Sequence, residues 1–264
     1  MITRDFSKAR RIVVKVGSST LTHESGLLNL RRVERLVTVL SDIKNSGKQI
    51  ILVSSGAMAV GVGKLSLPQK PQDMPGKQAV AAVGQCELMY TYDKLFGEYN
   101  HTTSQILLTR DVMDDMKRKR NVQNTLERLL EMGCIPIVNE NDSVSTEEIE
   151  FGDNDTLSAM VAVVAQADLL ILLSDIDGLY DRNPRVDPDA KFFPVVEEIT
   201  PELESMAKGV GSARGTGGMI TKLHAAQLAV SHGIEMVIMN GAQPKHLYDL
   251  FDNQEIGTYF PVPR

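Results

Sequence analysis

Tryptophan is absent from this chain, and cysteine occurs only twice, at Cys86 and Cys134. Two distant cysteines with no CxxC pair exclude a disulfide framework, and buried reduced thiols are the expectation. The five histidines (His23, His101, His224, His232 and His246) show no HxxxH or HExxH spacing, which argues against a structural zinc site. The apolar tract Met160–Leu173 is interrupted by Gln166 and Asp168, so it does not read as a membrane span. Met1–Arg11 is charged and has no apolar run, so no secretory signal is expected. Positive charge is also short: 28 Lys and Arg stand against 34 Asp and Glu, a net charge of −6 that argues against a nucleic-acid footprint. The dense basic run Lys117–Arg120 follows Asp114 and Asp115 and leads into an amphipathic segment, so it reads as a solvated helix face. A soluble, cytoplasmic protein without membrane or nucleic-acid partners is the expectation.

Familiar phosphate and nucleophile motifs are missing too. Gly47-Lys48, Gly63-Lys64 and Gly76-Lys77 are each followed by Gln or Leu, so no GxxxxGK[ST] P-loop exists. No GxGxxG follows the first strand, no GxSxG surrounds a serine, and neither cysteine has an evident base.

What is present is an alternation. With 264 residues and 42% apolar content the chain fills one large or two small domains. β-branched runs at Arg11–Val16, Gln49–Val53, Thr102–Leu108 and Cys134–Val138 predict strands, with helices over Leu30–Gly47, Lys77–Phe96 and Asn121–Met132. The second half repeats the pattern: a helix over Asp155–Ala165, strands at Leu169–Leu173 and Glu235–Met239, and a last helix near Pro244–Phe251. Such βα units imply a mostly parallel sheet with its ligands at the strands' carboxyl ends. The polar clusters Gly17-Ser18-Ser19, Ser54-Ser55-Gly56 and Asn139-Glu140-Asn141-Asp142 fall at those ends. With no long linker in view, one fold with two lobes is expected, dividing near 165–175.

The densest chemistry lies in Gly215-Thr216-Gly217-Gly218-Met219-Ile220-Thr221-Lys222, just before a helical pattern that stops at Gly233. Glycines admit backbone N–H groups close to an anion, a helix N-terminus adds its dipole, and a lysine adds a point charge. A flexible glycine loop before an ordinary helix is the plain alternative. Phosphoryl transfer needs cations on the migrating group, and Lys15, inside a strand of Ile and Val, is a second candidate beside Lys222. A lysine in such a run sits at an edge, snorkels, or is aimed into a site. Two ammonium groups need a carboxylate to orient them, and Asp142, Asp153 and Asp155 are available, although Asp153 has a competing role as a helix cap.

The set Val14–Ser19, Ser54–Ala57, Asn139–Asp142, Gly152–Asp155, Ser174-Asp175 and Gly215–Lys222 resembles the glutamate 5-kinases of the amino acid kinase family, in order along nearly the whole chain. The resemblance implies a three-layer α/β/α sandwich formed by one kinase domain over 1–264. Its N-terminal lobe (about 1–168) would take the acceptor and its C-terminal lobe (about 169–264) the nucleotide. It implies ATP-dependent phosphorylation of the glutamate side-chain carboxylate toward proline, with Mg2+ carried mainly on the nucleotide phosphates. Position by position, Lys15, Lys222 and Asp155 would be catalytic, and Ser55, Gly56, Asp142 and Asn154 would bind glutamate. Lys15, Ser174, Asp175, Thr216, Gly217, Gly218, Met219, Ile220, Thr221 and Lys222 would bind the nucleotide. A homo-oligomer (dimer or tetramer), proline as feedback inhibitor and glutamyl phosphate reductase as functional partner are implied as well. Many members carry an additional C-terminal PUA domain, and the expectation here is a chain without one. Other acceptors on the same fold, a non-catalytic nucleotide-binding module and an RNA-binding protein are the alternatives.

Overall fold

The structure is a computed structural model that describes residues 4–145, 154–208 and 218–263. Strand β1 (Arg11–Val16) is followed by the short helix α1 (Ser18–Leu21), α2 (Leu30–Asn45), β2 (Gln49–Ser54), α3 (Ala57–Lys64) and α4 (Met74–Gly97). Then come β3 (Thr103–Leu108), α5 (Met116–Glu131), β4 (Ile135–Glu140), α6 (Asn154–Val164) and β5 (Leu169–Ser174). The remaining elements are the two-residue strands β6 (Leu179–Tyr180) and β7 (Phe192–Phe193), α7 (Pro201–Lys208), α8 (Met219–Ser231), β8 (Glu235–Asn240), α9 (His246–Phe251) and β9 (Thr258–Phe260).

Seven strands form one sheet in the order β3-β4-β2-β1-β5-β8-β9, parallel except for β9. Because side chains alternate along a strand, each central strand feeds two cores. Ile12, Val14 and Val16 join the cluster that packs under α2, α4 and α9, while Val13 joins the opposite cluster with α5, α6, α7 and α8. The sheet is therefore covered on both faces, and β5 reads Leu-Leu-Ile-Leu-Leu without polar interruption before Ser174. The three-layer α/β/α sandwich read from the sequence is borne out. Between β1 and β5 the connections diverge, β1 leading toward β2 on one side and β5 toward β8 on the other. Ligands of open α/β sheets collect at such a switch point.

Two glycines shape one side of this crevice. Gly56, directly after β2, has φ +104°, a left-handed conformation that a side chain strains, and it turns the chain into α3. At Gly84 an added Cβ would lie 1.8 Å from the Ala57 carbonyl oxygen, so α3 and α4 pack backbone to backbone.

Several boundaries differ from the sequence reading. α5 begins at Met116, not Asn121, because Asp115 accepts hydrogen bonds from the backbone of Lys117 and Arg118 and starts the helix within the basic run. α4 starts at Met74 rather than Lys77, capped by Asp73 onto the Gly76 N–H at 2.8 Å. β4 runs to Glu140, two residues further than expected, carrying Asn139 and Glu140 into the sheet. The expectation of buried thiols fails: Cys86 is exposed on α4 and Cys134 is half-buried, both free. No helix among the described residues is long and apolar enough to cross a membrane.

Candidate active site

Lys15 points from β1 to the face covered by α6, and only 8% of it is exposed. Its Nζ donates to Asp155 Oδ1 at 2.6 Å, and from the other side Lys222 Nζ donates to Asp155 Oδ2 at 2.9 Å. Thr221 Oγ1 lies 2.9 Å from the same Oδ2 and 2.8 Å from the Gly218 carbonyl. One fully buried carboxylate thus bridges two lysines from elements 207 positions apart in sequence, β1 and the first turn of α8. Asp155 sits in the first turn of α6, where the helix dipole favours negative charge. Burial would push its carboxyl upward, but the two ammonium groups outweigh that and hold it well below the usual carboxylate range. The centre carries a net positive charge, two ammonium groups against one carboxylate, in a region of low exposure. That arrangement suits an anion with several oxygens.

Beside it, at the carboxyl ends of β1, β2 and β4, opens a cleft of about 870 Å³. Its lining includes Ser18 and Ser19 after β1, Ser55 and Gly56 after β2, and Asp142 after β4. α3 begins at Gly56 without a side-chain cap, so its first N–H groups are available to an anion. Asp142 is pushed up to about 6 by its own burial and by the Glu140 carboxylate, with Lys70 pulling the other way. Asn154 lies behind this wall, donating through Nδ2 to the Ser54 carbonyl at 3.3 Å and to Asn139 Oδ1 at 2.9 Å.

Ser174 ends β5 and Asp175 follows it, on the neighbour of β1 at the other side of the switch point. Ser174 is buried, its carbonyl accepts the Gly241 N–H at 2.7 Å, and Asp175 pairs with Arg185 at 2.7 Å. Gly218, Met219, Ile220 and Thr221 start α8, whose N-terminus has no side-chain cap. Thr216, Gly217 and the rest of the glycine stretch before Gly218 lie outside the described residues, as does Asp153.

The structure thus joins Lys15, Asp155 and Lys222 by direct contact and places Ser55, Gly56 and Asp142 on one cleft wall. Sequence reasoning passed over Asn139, although the polar cluster at the end of β4 contained it. It also passed over Gln85, which sits on α4 and bonds Asn139 at 2.8 Å. Nothing in the helical pattern around Gln85 marked it, because its partner is 54 residues away.

Comparison with known proteins identifies the family. The profile described as "Amino acid kinase family" matches residues 10–240. The glutamate 5-kinase of Clostridium perfringens is 57% identical over 256 residues, covering 96% of this chain and 95% of the relative. That of Listeria monocytogenes serovar 1/2a is 54% identical over 96% of this chain and 93% of its own length. Among solved structures, UMP kinase from Ureaplasma parvum superposes with a TM-score of 0.66 at 14% identity, covering 96% of this chain and 99% of that one. Carbamate kinase from Giardia lamblia, bound to AMP-PNP, superposes with a TM-score of 0.66 at 14% identity, covering 97% and 100%. At such identity the two structures speak for the fold alone. With its own buried lysine–aspartate–lysine bridge at the strand ends and this span of sequence agreement, the chain belongs to the amino acid kinase family.

Proposed function

We propose that this kinase transfers the γ-phosphoryl group of ATP to the side-chain carboxylate of L-glutamate, giving L-glutamyl 5-phosphate, the first step toward proline. The observation that carries the reading is the Lys15–Asp155–Lys222 bridge next to a cleft whose lining holds both an acidic group, Asp142, and anion-receiving groups at Ser55 and Gly56. In the transfer, a carboxylate oxygen attacks the γ-phosphorus, the bond to the β–γ bridging oxygen breaks, and ADP leaves. The acceptor has a pKa near 4.3 and is already ionised at neutral pH, so no general base is required. Lys15 and Lys222 neutralise charge on the transferring oxygens, and Asp155 holds both ammonium groups in place before substrate arrives. Because both oxygens of Asp155 are engaged by these donors, magnesium would be held by the nucleotide phosphates, where it supplies charge neutralisation.

Asp142 suits the α-ammonium group of glutamate, and Ser55 with the first N–H groups of α3 suits a carboxylate. Asn154 completes the acceptor side. The start of α8, with Ser174 and Asp175, forms the nucleotide side, so residues 1–168 serve the acceptor and 169–264 the nucleotide. Proline carries an α-ammonium and an α-carboxylate and would compete for the same cleft. The acyl phosphate product hydrolyses readily, which favours rapid use by glutamyl phosphate reductase. A cytoplasmic homo-oligomer completes the proposal.

ADP release measured with ATP and magnesium over glutamate, aspartate, N-acetylglutamate, carbamate and UMP, with and without proline, tests the reading. Turnover with glutamate above all others is the expected result; turnover with another acceptor and none with glutamate rejects it. A pH series gives a second check. With Asp142 pushed up to about 6, its carboxylate is present above that value and lost below it. The glutamate KM is expected to be flat above pH 7 and to rise as pH falls from 6 toward 5, where the glutamate side chain itself remains largely ionised. In Asp142→Asn that inflection disappears and the KM is high at every pH.

A further inference from the structure

The polar wall behind the acceptor cleft is fixed by a chain of carboxamides that starts on α4. Asn154 is 1% exposed and donates both Nδ2 hydrogens, one to the Ser54 carbonyl and one to Asn139 Oδ1. Asn139 Oδ1 also accepts the Glu140 backbone N–H at 2.9 Å, and Asn139 Nδ2 donates to Gln85 Oε1 at 2.8 Å. Both ends of the Asn139–Asn154 pair rest on backbone groups of fixed polarity. A carbonyl only accepts and an N–H only donates, so each amide has a single orientation that satisfies its neighbours. What remains is Asn154 Oδ1, a buried oxygen with no hydrogen-bond partner among the described residues. A buried acceptor in this state is unfavourable until a donor reaches it. Glutamate offers two carboxylates, which accept, and one ammonium group, which donates.

We propose that Gln85 is a positioning residue for the acceptor's α-ammonium group. By holding Asn139 through its Nδ2, it steadies the Asn139–Asn154 pair and with it the buried Asn154 oxygen that would receive the ammonium group. The proposal rests on the glutamate assignment above and names how that site recognises the amino group. Gln85 itself touches no reacting atom. It is half-buried and lines a groove of about 620 Å³ between α4 and β3 that shares Asp142 with the acceptor cleft. Without it, Asn139 Nδ2 loses its acceptor, and the pair keeps its amide orientation through Ser54 and Glu140 but is held less firmly, so the Asn154 oxygen is no longer fixed where an ammonium group can reach it.

The test compares Gln85→Met, which keeps the chain length and removes the oxygen acceptor, with Gln85→Glu, which keeps one. Gln85→Met is expected to raise the glutamate KM about tenfold, the scale of one hydrogen bond to a charged group, with kcat and the ATP KM within about twofold of wild type. Gln85→Glu at pH 8 recovers most of that loss. Glutarate, which lacks the amino group, is used as a competitor and binds wild type and Gln85→Met equally, which also verifies that the variant's cleft is folded. An unchanged glutamate KM in Gln85→Met, an equal loss for glutarate, or a Gln85→Glu variant as weak as Gln85→Met overturns the role of Gln85. Wild-type protein inactive on glutamate overturns the acceptor assignment itself, so the two failures are told apart.

Discussion

Lys222→Ala is expected to lower kcat by about three orders of magnitude, the effect of removing a preorganised cationic group from a phosphoryl-transfer transition state. The residue is 8% exposed and its ammonium group is fixed 2.9 Å from Asp155, so its position is set before the reaction begins. The fold should survive, because Asp155 keeps Lys15 at 2.6 Å and the Thr221 hydroxyl at 2.9 Å. The glutamate KM should change little, since the residues around the acceptor are untouched. Lys222→Arg is not expected to restore the rate, because a planar guanidinium on a longer side chain cannot occupy the place of a compact ammonium group. Steady-state kinetics with a thermal unfolding curve separates the two effects. Near-normal turnover in Lys222→Ala would remove this residue from the chemistry.

A larger loss of stability is expected from Asp155→Asn. The substitution keeps the volume but leaves Lys15 and Lys222 without their shared counter-charge in a site where Asp155 is 1% exposed. Leaving buried charges unpaired costs about 3–5 kcal/mol. Activity should fall at least as far as in Lys222→Ala, because both cations lose their anchor. Adding Lys222→Met to Asp155→Asn should recover part of the lost stability, since one buried charge disappears with it. Strictly additive losses in the double variant would show that the three side chains do not act as one unit.

The sequence made these three residues legible for different reasons. Lys15 stood out because a charge interrupts an apolar strand, and Lys222 because it follows a run of glycines at a helix start. Asp155 was one of several carboxylates until the family pattern singled it out, and only the folded chain shows it between the lysines. The parallel sheet was legible from strand and helix periodicity, since central strands such as Leu169–Leu173 are continuous apolar runs. The antiparallel edge strand Thr258–Phe260 was not, because three residues carry no period and their pairing with β8 is long-range. The carboxamide chain from Gln85 to Asn154 was equally hidden. Glutamine on a helix surface is ordinary, and its meaning comes from a partner on another strand. Buried thiols were expected from composition, but Cys86 lies on an exposed part of α4, a placement that a count of cysteines does not reveal.

The most direct test of the central claim is product capture. Wild-type protein is incubated with ATP, magnesium, glutamate and hydroxylamine, which traps an acyl phosphate as its hydroxamate, and the product is identified by mass. The account predicts γ-glutamyl hydroxamate formed in step with ADP, and almost none from Lys222→Ala. ADP released without hydroxamate, or hydroxamate formed equally well by Lys222→Ala, would contradict it.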